Sequence, residues 1–417
     1  MGWIASVPLL MAVIAFGGAG AARADESAAA NRLLVEAVGL VGRAEAIESP
    51  GDRAALYERA LDNLDEIAAR HPESDLAVRL AAGQAVGEID RRAFERQRRL
   101  SVAEGCIAEL DHSCLLALAL EMSPAIEDVG KRSWALSIIA AGQADAGAFE
   151  QALETANAAT DLGDRAWALG AIAAAMANAG TGAQVREVIG DAVAAASEIN
   201  NAYRRASTLG EVALWQAIAG DKSGARQTVR RAAEVAIAVD FDYGVALALA
   251  PIAEAQIMAG DAVLGRQTLV HAVERARQES VTMLRVHALS RLASVQATTG
   301  DTAGARETIG DAIGSINSFR ARVVSFFGRW SRDQSFAQIV RALARTGDVD
   351  RAHEIALGID SPYRRATAFS DIAEAQLRVG DVADARRSLE LAFEAVKKID
   401  SGSETALSVV YLLQVFQ

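Results

Sequence analysis

Proline occurs only six times in this chain of 417 residues, and aromatic side chains supply 5% of it. Both shortages work against β-sheet, and the Ala, Leu, Val, Arg and Glu that dominate instead favour helix throughout. Basic residues are short as well: 42 Lys and Arg face 54 Asp and Glu, for a formal charge of −12. A surface of that average sign repels a nucleic-acid backbone, and no nucleic-acid module is present, so no nucleic-acid partner is expected. Only Lys131, Lys222, Lys397 and Lys398 are lysines, a bias that reads as codon usage and not as a recognition device. Histidine is scarce and scattered: of His71, His112, His271, His287 and His353, none stands three or four residues from another. No helical face therefore carries a paired metal ligand, and no metal is expected. A nucleotide-binding glycine loop, a Gly-x-Ser-x-Gly elbow and a cluster of matched carboxylates are all missing. No catalytic residue and no cofactor are expected on these grounds.

Charge is absent altogether from Met1 to Ala22, where the apolar stretch Val7 to Phe16 leads into the small-residue run Gly17 to Ala22. Ala22-Arg23-Ala24 then offers an A-x-A cleavage site before Asp25, the pattern of a secretory signal peptide over residues 1–24. No Lys or Arg precedes Val7, and about 20 uncharged residues are also enough to span a bilayer, so an uncleaved N-terminal anchor is the alternative. The expected location is periplasmic or secreted, with membrane association only through an uncleaved N-terminus.

What the chain has in quantity is a recurring corner. Gly147, Gly180, Gly220, Gly260, Gly300, Gly347 and Gly380 are spaced 33, 40, 40, 40, 47 and 33 residues apart, and Asp221, Asp261, Asp301, Asp348 and Asp381 follow five of them. Glycine suits the left-handed residue just past a helix end, and Asp beside it can cap the next helix, so one helix stops and another starts at each corner. Around Gly220 the apolar residues Leu209, Val212, Ala213, Leu214 and Ala217 precede, and Ala225, Val229, Ala232, Ala233 and Ala236 follow, with the three-and-four spacing of buried helical stripes. A single pair cannot bury its stripe, so neighbouring pairs must stack.

Small residues seven before, five after and twelve after the corner, Ala213, Ala225 and Ala232, and again Ala373, Ala385 and Ala392, carry a resemblance to the tetratricopeptide repeat of bacterial α-solenoids. It covers about Gly130 to Gln417. The period is near 40 where that family has about 34, and Gln216, Gln256, Gln296 and Gln376 stand where it usually has tyrosine; a HEAT-like two-helix solenoid is the competing description. The resemblance implies an all-α fold, a right-handed superhelical solenoid of antiparallel helix pairs, working as a protein-binding surface. Upstream, Tyr57-Glu58-Arg59-Ala60-Leu61 with Ile67 and Pro72 looks like the second helix of a degenerate repeat whose first helix is Asn31 to Ile47. The expected domains are the signal peptide 1–24, an N-terminal helical region 25–130 and the repeat array 131–417.

Cys106 and Cys114, in an exported chain, invite a disulfide. On one continuous helix eight residues span about 12 Å, too far to bridge, so a bond needs a turn near Asp111-His112-Ser113. Two buried thiols, or a redox pair with His112 as base, are the other readings. The recurring glutamines read as hydrogen bonds between neighbouring helices or as a ladder facing a groove, with Glu254 and Glu374 two residues earlier able to face inward. Arg186, Arg226, Arg266, Arg306 and Arg386 start the second helices, where an ion pair to the adjacent repeat would offset the helix dipole. Two segments break the period: the arginine run Arg91, Arg92, Arg96, Arg98 and Arg99, and the insertion that stretches one spacing to 47. Arg320, Arg322, Phe326, Phe327, Arg329 and Trp330 of that insertion are the candidate partner-binding residues, since aromatics and Arg anchor interfaces. The apolar C-terminal run Ala406 to Phe416 begins a pair that has no second helix; sideways packing is expected, with dimerisation or a bound partner as alternatives.

The reading that follows is a non-enzymatic scaffold or adaptor of the bacterial cell envelope that binds a peptide or protein on the solenoid surface. The alternatives are a thiol/disulfide redox or other enzyme centred on Cys106 and Cys114, and a membrane-associated assembly module. Partner identity and oligomeric state are beyond the sequence.

Overall fold

The structure, a computed structural model, describes residues 20–86, 89–320 and 326–416, with the side chains of 20–26, 183, 317–320 and 326–331 outside that description. Nearly all of the expected signal segment thus lies outside the described residues. Among those described the fold is all-α, apart from a 3-10 turn at Ser123–Ala125 and one isolated bridge between Val86 and Ile89. Contacts divide the chain into two compact units between Gly105 and Cys106.

The first unit holds α1 (Gly20–Ala46), α2 (Pro50–Arg70), α3 (Asp75–Ala81) and most of α4 (Arg91–Glu109). Ser49 caps α2 by accepting from the Asp52 N–H at 3.4 Å, and Pro50 occupies the first turn, where its missing N–H costs nothing. Tyr57, Ala60, Leu64 and Ile67 of α2 form one core with Ala37 and Leu40 of α1. The arginine run is held by acids: Arg91 pairs with Asp65 and Glu95, and Arg98 with Glu58.

The second unit opens with α5 (His112–Met122), which by contact belongs here although its sequence does not fit the repeat period. Two series of helices then alternate. One consists of α6 (Val129–Asp145), α8 (Leu162–Asn178), α10 (Ala202–Ile218), α12 (Asp242–Met258), α14 (Thr282–Thr298), α16 (Phe326–Arg345), α18 (Pro362–Arg378) and α20 (Gly402–Gln414). Between them run α7 (Phe149–Ala158), α9 (Gly182–Ser197), α11 (Lys222–Ala236), α13 (Ala262–Gln278), α15 (Thr302–Arg320), α17 (Val349–Leu357) and α19 (Val382–Val396).

The corners work as local chemistry requires. All seven corner glycines have φ between +80° and +98°, the left-handed region that side chains resist. The N–H of the following residue returns to the carbonyl five positions back, as from Asp221 to Gln216 (2.9 Å) and from Asp381 to Gln376 (2.9 Å), which satisfies the last turn of the helix. Asp221, Asp301 and Asp381 cap the next helix through Gly224, Gly304 and Asp384; Asp261 and Asp348 make no side-chain cap, and Asp261 is instead engaged by Arg226 at 3.0 Å. That bond joins adjacent repeats, as the arginine recurrence suggested. Ala213, Ala225, Ala232, Ala373, Ala385 and Ala392 are all fully buried in the seam between paired helices. The recurring glutamines are buried too. Thr268 donates to Gln256 at 2.8 Å and Ser388 to Gln376 at 2.7 Å, bonds between the two helices of one pair, whereas the buried Oε1 atoms of Gln216 and Gln296 accept no hydrogen bond among the described residues.

The row of pairs does not stay open. Each helix of the first series touches the next, and α20 touches both α18 and α6, so the series closes into a ring. Tyr411 is the latch: its ring centroid lies 4.6 Å from that of Trp134 on α6 and 6.1 Å from that of Tyr363 on α18. Helix α20 is also packed against α5. Its apolarity is thereby explained, since Leu407, Val409, Val410, Leu412 and Leu413 are buried on several sides at once.

Just before the ring, α4 ends and Leu110 takes φ of 53°, so the chain reverses one residue earlier than the sequence suggested. Asp111 caps α5 by accepting from the Cys114 N–H at 3.0 Å. The reversal brings the Cα atoms of Cys106 and Cys114 to 5.5 Å, and the two are joined as a disulfide.

Candidate functional site

Because the first series of helices closes on itself, its inward side chains surround a common space. Counting back from each corner, the residues that reach it recur at fixed places: sixteen before (Asp164, Arg204), thirteen before (Trp134, Trp167, Ser207, Leu247, His287) and nine before (Ile138, Glu211, Arg291). Tyr203, Gln414, Ser137, Gly163 and Thr208 complete the wall of a cavity of about 400 Å³. These offsets differ by three and four residues, so they form one helical stripe, turned away from the alanine seam that faces the outer helices. One and two turns further along the same stripe lie Glu254, Arg341 and Glu374, then Thr298 and Arg345.

The stripe is charged in an ordered way. Arg204 donates to both oxygens of Asp161, at 2.7 and 2.8 Å. Burial works against the Asp161 carboxylate, but Arg204 and the N–H groups of Asp164 and Gly163 outweigh it and hold it below its ordinary value. For Asp164 burial prevails and pushes it up to about 6; a hydrogen bond with Ser133 and the Arg204 charge oppose the rise, and the nearby Asp161 charge adds to it. Burial also raises Glu211, against the pull of Arg291 at 3.7 Å and with Glu254 and Asp164 reinforcing the rise. Even so, 28% of the Glu211 side chain remains accessible, because it borders the cavity. His287 is driven down to about 4 by burial, with Arg291 and Arg341 acting the same way, and its Nδ1 lies 2.7 Å from the Tyr243 hydroxyl. It is a neutral imidazole at neutral pH.

Deeper in, cations and carboxylates are matched. Asp371 lies 2.8 Å from Arg341 and keeps that guanidinium charged; Arg345 approaches Glu374 at 3.6 Å, and Arg378 bonds the same carboxylate. Thr298 donates to Glu254 at 3.1 Å. Glu254 and Glu374 therefore do take up inward-side contacts, the placement left open for them above.

Of the residues singled out above, Cys106, His112 and Cys114 do not line this cavity. Arg320 ends α15 and Phe326, Phe327, Arg329 and Trp330 lie in the first turns of α16, but their side chains, and Arg322 altogether, lie outside the described residues. Among the described residues no group of three His, Cys, Asp or Glu is placed to hold a metal, and no helix is long and apolar enough to cross a membrane.

Sequence reasoning missed two signals that were present. Fifteen residues before the corner, Arg132, Arg165, Arg205, Arg285 and Arg365 each donate to the carbonyl six residues earlier, tying the linker to the helix that follows. That recurrence fixes the helical register independently of the corners. Reading outward from it, the positions thirteen and nine before each corner collect tryptophan, histidine, glutamate and arginine, where a simple buried stripe would hold only aliphatic residues.

No protein-family model matches the chain, and no curated protein does either. Its fold is similar to several solved structures. The crystal structure of Ton1535 from Thermococcus onnurineus NA1 is 16% identical, with 75% of this chain and 98% of that one covered and a TM-score of 0.30. A Rap protein complexed with competence and sporulation factor is 13% identical, covering 88% and 98%, with a TM-score of 0.29. A circular tandem repeat protein with novel repeat topology and enhanced subunit contact surfaces is 18% identical, covering 94% and 96%, with a TM-score of 0.27. At such TM-scores these likenesses carry no argument, and the fold rests on the helix pairs and the closure described above.

Proposed function

We propose that this chain is an exported, non-enzymatic binding protein, a scaffold or adaptor of the cell envelope that holds a peptide or protein segment at the lumen of its helical ring. The observation that carries the reading is the lumen itself. A cavity of about 400 Å³ with aromatic, apolar and charged walls is the size and make-up of a ligand pocket. Its walls come from helices spread over most of the second unit, each fixed by its own capped corner, and such rigidity lowers the entropic cost of binding. Export is supported by the uncharged N-terminus with its A-x-A site and by the Cys106–Cys114 disulfide, a bond that persists in oxidising compartments.

The test is affinity capture from the native envelope extract by the full exported chain, repeated with Trp167→Ala and, separately, with Arg320, Arg322, Arg329 and Trp330 all changed to Ala. Loss of one partner with Trp167→Ala places it at the lumen. Loss only with the quadruple variant would move the binding site to the insertion. Capture of nothing specific by the wild-type chain would overturn the scaffold reading.

A further inference from the structure

The charges around the lumen do not balance locally, and the imbalance points to a ligand class. Arg204 is engaged by Asp161, Arg341 by Asp371, and Arg345 and Arg378 share Glu374. His287 is neutral. The cavity itself is lined by two carboxylates, Asp164 and Glu211, and two guanidiniums, Arg204, already bonded to Asp161, and Arg291, at 3.7 Å from Glu211; Glu254 adds a further negative charge near Glu211. Burial is the main cause that raises Glu211, and the charges of Glu254 and Asp164 add to the rise. The same cavity is bordered by the aromatic rings of Trp134, Trp167 and Tyr203.

We propose that this pocket is a cation site, taking one organic ammonium or guanidinium group between the carboxylates of Asp164 and Glu211 and the rings of Trp134, Trp167 and Tyr203. The two kinds of wall act together. A carboxylate supplies charge-assisted hydrogen bonds to N–H donors, and an aromatic ring attracts the same cation by its quadrupole, most strongly where water is excluded. Ile138 and Leu247 on the same wall suit the methylene stem that carries such a group in lysine, arginine or an alkylamine. An anion fits the pocket poorly, since it would lie beside Asp164 and Glu211, and of the two lining guanidiniums Arg204 is already bonded to Asp161 and Arg291 is next to Glu211. The assignment rests on the lumen being the binding face, and it deepens that reading by naming what the bound segment presents: a basic side chain. A free amine has the same chemistry and is the other source.

Calorimetric titration of the full exported chain distinguishes these sources and tests the site. The probes are a blocked Gly-Gly-Lys-Gly-Gly peptide, 1,4-diaminobutane, and the same peptide acetylated on its lysine as the neutral control. The expected result is saturable one-site binding of a cationic probe, no binding of the acetylated peptide, and a loss of about tenfold or more in affinity for Glu211→Gln and Asp164→Asn. Asp348→Asn, at a corner remote from the lumen in register, should bind as the parent does. Tighter binding of the peptide assigns the cation to a partner's side chain, and tighter binding of the diamine to a free amine; both support the cation site. Equal binding of the acetylated peptide, unchanged affinity in both carboxylate variants with native helical content, or no saturation up to about 10 mM overturns it. The outcomes separate from those of partner capture: a partner captured with no cation bound removes the cation site and leaves the scaffold, whereas a diamine bound with nothing captured removes the scaffold and leaves the site.

Discussion

Adding one methyl group at Gly210 should destabilise the ring, whereas adding the same group at Gly190 should stabilise it. Both glycines lie inside helices, α10 and α9, so alanine gains about 1 kcal/mol of helix propensity at either place. Their surroundings differ. At Gly190 nothing lies within 4 Å of the new Cβ. At Gly210 it would lie 2.9 Å from the backbone N of Ile252, 3.1 Å from Ile252 Cγ1 and 3.1 Å from the carbonyl carbon of Pro251. Two of those atoms are backbone in the middle of α12, which cannot rotate aside as a side chain would, so α10 and α12 must move apart. Overpacking of this kind costs about 1–3 kcal/mol. Because the propensity gain is common to both variants, the difference between them isolates the helix contact: Gly210→Ala should be less stable than Gly190→Ala by about 1–3 kcal/mol. Urea unfolding of the two variants and the parent, followed by helical circular dichroism, measures that difference provided the slopes agree. A midpoint for Gly210→Ala raised as far as that of Gly190→Ala would refute the close approach of α10 and α12, and with it the placement of Glu211, the next residue, on the lumen wall.

Two further consequences can be measured on the same footing. Ending the chain at Ile399 removes α20 and the burial of Leu407, Val409, Val410, Leu412 and Leu413, a gross loss of about 7–15 kcal/mol before chain entropy is counted. The truncated ring should melt earlier and bind an apolar dye; an unchanged melting temperature without dye binding would mean that α20 does not close the ring. Between about pH 4 and 6.5, Asp164 and His287 should pull stability in opposite directions. Asp164 takes up its proton more readily folded than unfolded, so its contribution falls as pH rises through about 6; His287 takes up its proton less readily folded, so its contribution falls as pH drops toward about 4. In the parent these two contributions should largely offset each other. Asp164→Asn should unmask stability that rises with pH, and His287→Gln stability that falls with it. Parallel profiles in all three proteins would contradict the burial of both groups.

Much of the fold was written locally, and local physics is what a sequence states most directly. Gly220 with Asp221, and Gly380 with Asp381, mark corners because positive φ and a capping carboxylate depend on residues only a few positions away. Ala213, Ala225 and Ala232 marked the seam for a similar reason, since two helices joined by a tight corner can face each other in few ways. The arginines fifteen residues before each corner belong to this local class as well, reaching carbonyls six residues back, and were legible though overlooked.

The lumen was not legible. Whether a stripe of side chains faces solvent or an enclosed space depends on the small rotation between successive pairs, summed around the unit, and no single segment encodes that sum. Trp134 and Tyr411 meet at 4.6 Å from opposite ends of the second unit, and only that meeting turns a row of helices into a ring. By itself the sequence determined that helices form, where each stops, and which face pairs with its neighbour, because hydrogen bonding and apolar spacing act over a turn or two. Tertiary structure alone decided that α20 closes on α6 and that Asp164, Glu211 and Trp167 share one cavity, because contacts between residues far apart in the chain are set by accumulated curvature.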